Sequence, residues 1–151
     1  MISLAFSNVH IDGPTPTKAW QRFLWIVADF TITQYGREIF KEPEFPIVEL
    51  AYYLREWLSS SASEHLPFNY ESIESAEPAL LWFRPVGGDW SMGYSDEHLL
   101  SGLELTELER AAARFVDRVV EEVPRQVGVE VKDLVAVGPN WGDRPEMKVE
   151  P

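Results

Sequence analysis

Three histidines are the first place to look for chemistry: His10, followed two residues later by Asp12; His65, next to Glu64; and His98, which closes the run "SDEH". Beside carboxylates, such rings could hold a metal or move a proton. No two of them share the i, i+4 spacing that would put both on one helical face, and no H-x-H occurs. "GDWSMG" places Ser91 between spaced glycines but is not the G-x-S-x-G elbow of a serine hydrolase. Gly87 and Gly88 lack the lysine and spacing of a phosphate-cradling loop. The chain has no cysteine, which excludes disulfides, thiolate zinc sites and thiol nucleophiles. No catalytic residue, metal ligand or cofactor is assigned, and the expectation is a non-enzyme. The alternative from a different class is a small hydrolase or ligand-binding enzyme whose pocket sets one of the three histidines beside carboxylates.

The acidic side chains carry the stronger signal. The 151 residues have a formal charge of −12. Residues 1–40 balance three acids against three bases, whereas residues 71–122 set twelve acids against four. Within that second part Glu71, Glu74 and Glu77 recur every third position, and Asp96 with Glu97 follows a glycine-containing turn. The series lacks the alternating Asp/Asn pattern and central glycine of a calcium loop. Its two readings are a solvated rim and a surface that steers a basic protein by charge. Trp82, among these acids, reads either as a binding anchor or as a packed residue that shields Gly93 or lies under the tail containing Trp141. The candidate partner-binding set is therefore Glu71, Glu74, Glu77, Trp82, Asp96 and Glu97. Nucleic acid is not expected as a partner, because phosphate contacts need clustered Lys and Arg.

The elements that would position these residues can be read from periodicity. Residues 2–9 read as a strand and residues 10–20 as a Pro/Gly loop. Residues 20–33, "WQRFLWIVADFTIT", read as a strand apolar on both faces. Its Trp25 region offers a self-association face, which makes a homodimer or structural module the third reading. "QYGREIF" gives a turn and a short strand that "KEPEFP" breaks. "PIVELAYYLREWLSS" gives a helix with Pro46 in its first turn, an apolar face of Ile47, Leu50, Ala51, Leu54 and Leu58, and Glu49, Tyr52 and Glu56 turned away.

Residues 68–78 read as a strand with Phe68, Tyr70 and Ile73 inward. "LLWFRPVGGDWSMGYS" reads as a hairpin turning at Val86 and Gly87. Leu81, Phe83, Trp90, Met92 and Tyr94 then share one face, and Arg84 lies opposite Asp89. A helix from about Thr106 to Val123 is expected, capped by Thr106 with Glu109, striped by Leu108, Ala111, Ala112, Phe115, Val119 and Val123, and stopped by Pro124. "VEVKDLVAV" is a short last element. The architecture expected is a single α+β domain over 1–138, an antiparallel sheet of five to six strands with two main helices on one face, and a tail over 139–151.

The segments "FPIVELAYYLREWL", "FNYESIESAEPALLWFRPVGGDWSMGYS" and "AAARFVDRVVEEV" resemble small bacterial immunity proteins of polymorphic toxin systems, over roughly Phe45 to Val123. That resemblance implies a cytoplasmic protein that binds a cognate toxin, basic if it is a nuclease, and blocks its active site. It carries no residue roles. The absence of a 20-residue apolar run and of a signal-peptide pattern at the N-terminus adds the expectation of no membrane span and a cytoplasmic address.

Overall fold

The computed structural model describes residues 1–64, 66–71 and 80–139. Its elements are β1 (Ile2–Ile11), α1 (Ala19–Trp25), β2 (Ile26–Gln34), β3 (Arg37–Pro46), α2 (Ile47–Glu64), β4 (Phe68–Tyr70), β5 (Leu81–Val86), β6 (Asp89–Tyr94), β7 (Glu97–Leu103), α3 (Leu105–Val127) and α4 (Lys132–Val137). The α+β class and antiparallel pairing stand. The single sheet does not: the strands form two sheets, ordered β1-β2-β3 and β4-β5-β6-β7. One core joins them. Phe40 and Phe45 of the first sheet meet Tyr94 of the second at ring separations of 4.5 and 6.3 Å. Trp57 of α2 meets Phe68, Phe83 and Trp90. Phe115 of α3 meets Phe6 and Phe30.

Residues 20–33 are not one strand. Trp20, Phe23 and Leu24 are buried, and their i, i+3, i+4 spacing is that of a helix face. Gln21 starts this helix by accepting the backbone N–H groups of Thr17 and Lys18 at 2.8 and 3.0 Å. Trp25 ends α1 half-buried against Trp20; the strand begins only at Ile26, and its first residues, Ile26, Val27 and Ala28, are buried on both faces in the middle of the first sheet. Nor does "KEPEFP" break β3, which runs through to Pro46. Pro43 sits in a bulge on an outer strand, where a missing N–H breaks no ladder bond. Pro46 closes that strand and the helix begins one residue later.

The hairpin turns at Gly87 and Gly88, one residue beyond the expected position. Arg84 therefore lies opposite Ser91 and Asp89 opposite Val86. The shift changes every partner by two places, so side-chain parity survives: Leu81, Phe83, Trp90 and Met92 are all buried on the core side. β7 went unread in the sequence because "EHLLSGL" lacks clean alternation, and two register shifts interrupt its pairing with β6.

In α3 the apolar stripe is buried as expected. The Thr106 cap is not present: the N-cap is Glu104, with no side-chain cap bond. Pro124 does not stop the helix, which continues to Val127 and ends at Gly128 in the left-handed region. The short last element is α4, whose Leu134 and Val135 are buried.

Candidate functional site: an acidic rim on the second sheet

The pairing of the second sheet sets Tyr70, Leu81, Tyr94 and Glu97 side by side as one row across four strands. Glu71 follows Tyr70, and the Ser95–Asp96 turn follows Tyr94, so Glu71, Asp96 and Glu97 occupy the same end of the sheet. All three are exposed. With strands about 4.8 Å apart, the row spans roughly 14 Å. Glu74 and Glu77 lie outside the described residues.

A chain of hydrogen bonds fixes this end. Leu80 N–H donates to the Tyr70 carbonyl at 2.7 Å, and Ser95 N–H donates to the Leu80 carbonyl at 2.6 Å. The Trp82 indole N–H then donates to the Ser95 carbonyl at 2.7 Å. Ser95 is held at φ 56°, a conformation uncommon for a residue with a side chain. Trp82 is 6% exposed. Its ring covers Gly93, and the Arg84 guanidinium stacks on it at 4.1 Å. In this position Trp82 shields Gly93 and braces the turn that presents Asp96 and Glu97.

Beneath the acids lies an aromatic floor. Tyr94, half-buried, packs on Phe40 and Phe45. Tyr53 of α2, also half-buried, lies 5.8 Å from the Tyr70 ring. Burial raises the Tyr53 hydroxyl pKa above 10.0, and the charges of Glu49 and Glu71 raise it further. Tyr53 therefore sits within the field of the rim.

Glu49 is a correction to the sequence reading, which turned it toward water. It is fully buried and accepts a hydrogen bond from the Tyr70 hydroxyl at 2.8 Å. Ile47 through Ala51 are all at 0% exposure, so the first turns of α2 have no solvent side. The apolar stripe alone could not reveal this, because burial on the opposite side comes from strands distant in sequence. Tyr70, expected only to point inward, also supplies the hydrogen bond to this buried carboxylate. Replacing Tyr70 with Phe removes a donor from a buried carboxylate. We expect it to destabilise the fold by about 1–3 kcal/mol, read from urea denaturation.

The two described histidines, His10 and His98, lie on different sheets and are not brought together. His10 pairs with Glu44 at 3.0 Å on the first sheet. His98 lies 2.9 Å from the Ser101 hydroxyl on β7, and His65 lies outside the described residues. Among the described residues, no group of three or more His, Asp or Glu side chains is placed to hold a metal ion. Nor is any helix among them long and apolar enough to cross a membrane. A cleft of about 660 Å³ beside α4 is lined by Arg22, Glu130, Lys132, Asp133 and Ala136, and the Arg22 guanidinium donates to the Glu130 carbonyl within it.

In comparison with known proteins, the family described as "Domain of unknown function (DUF7878)" matches residues 4–125, from β1 to the last turn of α3. No curated protein and no solved structure matches the chain.

Proposed function

The chain belongs to that family, and because its description names no activity, we propose from the rim geometry that the protein acts by stoichiometric binding of a cationic protein. What supports this reading is one juxtaposition: Glu71, Asp96 and Glu97 at one end of a braced sheet, beside the half-buried rings of Phe40, Tyr53 and Tyr94. Acids steer a basic partner and set its orientation, while aromatic rings supply contact area at low entropic cost. Lys and Arg side chains from the partner would pair with the carboxylates and lie over the rings.

The resemblance to immunity proteins makes a toxin the partner class of choice and the cytoplasm the place of action. The protein would then act by occluding the toxin's active site, without chemistry of its own. The excess of −12 adds long-range attraction to such a partner. Among the described residues, no comparable gathering of side chains stands behind the hydrolase or the homodimer reading.

The test uses the protein encoded immediately upstream as the probe. Co-expression with wild type should spare cells that the probe otherwise kills, and the two should co-purify one to one. The triple variant Glu71→Lys, Asp96→Lys, Glu97→Lys should fold normally, since all three side chains are exposed, yet lose protection. A triple variant that protects as well as wild type would place the docking surface elsewhere, and a probe with no toxicity or binding would remove the toxin reading.

A further inference from the structure

β1 and β3 flank β2, and they bulge opposite two adjacent residues of it. β1 sets Asn8 and Val9 opposite Ala28, and β3 sets Pro43 and Glu44 opposite Asp29. Each bulge holds one non-glycine residue in the left-handed region: Asn8 at φ 58° and Glu44 at φ 55°. Such residues persist only where their surroundings hold them.

His10 spans the two bulges. Its Nδ1 lies 3.0 Å from the Asn8 carbonyl oxygen, and its Nε2 lies 3.0 Å from Glu44 Oε2. A carbonyl oxygen and a carboxylate only accept hydrogen bonds. A neutral imidazole has one N–H and satisfies one of them, whereas the imidazolium satisfies both. We propose that His10 is a protonation switch: as the imidazolium it clamps the β1 bulge to the β3 bulge across β2, and as the neutral ring it releases one of the two.

The charged groups around the ring favour the clamped form. Glu44 faces it from β3 and Asp12 from the segment after β1. On β2 its register partner is the apolar Val27, and the one charged residue of that strand is Asp29. The nearest base along β3 is Lys41, placed opposite Thr31. The Asn8 carbonyl contributes most to raising the His10 pKa above the ordinary 6.5; partial burial lowers it, and Glu44 and Asp12 add to the rise. Because the folded value is the higher one, the clamp's stabilisation is complete below pH 6.5 and is lost as pH rises through the raised value. This switch is independent of the docking surface on the other sheet.

The test follows the His10 ring by NMR from about pH 5 to about pH 9 while recording amide exchange at residues 7–10 and at Glu42, Glu44 and Phe45, corrected for the intrinsic rate. The His10 ring should titrate above 6.5, and protection at both segments should fall together by about twofold or more across that inflection. His10→Gln should flatten the pH response. Glu44→Gln should lower the His10 pKa and carry the exchange inflection down with it. Both side chains are well exposed, at 39% and 58%, so neither change threatens the core. A ring that titrates at or below 6.5 would overturn the switch. So would protection that ignores pH in wild type, or a pH response that survives His10→Gln.

Discussion

Gly93→Ala will unfold the protein more readily than any surface change, lowering its stability by about 3 kcal/mol. A Cβ built on Gly93 overlaps the Trp82 ring and comes within 2.5 Å of the Glu97 carbonyl oxygen. Neither neighbour can yield cheaply. Trp82 is tied at its nitrogen to Ser95 and capped by Arg84, and Glu97 belongs to the backbone of the adjoining strand. Relief requires either moving the ring off the sheet or separating β7 from β6, and both dismantle the turn that presents Asp96 and Glu97. Denaturant unfolding of Gly93→Ala measures the loss. If the clash is the cause, Trp82→Leu in the same chain will recover part of it, so the two changes will be non-additive.

The second large effect is Phe30→Ala, expected to cost about 3–5 kcal/mol. Phe30 sits at the centre of β2 with no exposure. Its ring stacks on Phe45 at 4.8 Å and meets Phe115 at 5.8 Å and Phe40 at 6.5 Å. One side chain thus ties the first sheet to α3 and to the rings of β3, which in turn carry Tyr94. With whole-domain stabilities of about 5–15 kcal/mol, such a loss will lower the thermal midpoint by many degrees. Phe30→Leu, which keeps most of the volume, should lose clearly less. Calorimetry of the two variants side by side distinguishes cavity formation from loss of a specific ring contact.

What the sequence made legible was what local periodicity controls. The stripe of α3 and the two faces of the β5–β6 hairpin could be read because each residue's environment repeats at the element's own period. The hairpin faces held even though its turn lies one residue further along, since moving the turn by one residue shifts each pairing by two places. The failures share a different cause. Trp20, Phe23 and Leu24 carry helical spacing, but "WQRFLWIVADFTIT" is also rich in aromatic and β-branched residues, and contacts outside the window decide where helix gives way to strand. Pro43 and Pro124 are breakers by rule, yet one sits in a bulge of an outer strand and the other in the last turn before a left-handed glycine. Glu49 looked like a solvent residue because one helix cannot report what covers its far side.

The candidate site was legible in part. Charge alone singles out Glu71, Asp96 and Glu97, and strand register puts them at one sheet end. Their bracing by Trp82 and Ser95, and the floor of Phe40, Tyr53 and Tyr94, depend on pairing between segments far apart in the chain. A residue such as Ser95, held at φ 56° by two hydrogen bonds, gives no sequence signal.

The central claim, that the rim docks a cationic protein, is tested most directly by stopped-flow association with the upstream-encoded probe over a range of salt. The account predicts a rate constant for wild type that falls steeply as salt rises, and a low-salt rate for Glu71→Lys, Asp96→Lys, Glu97→Lys that is about tenfold lower or less still, with a flattened salt dependence. Equal rates and equal salt slopes for the two proteins would contradict it.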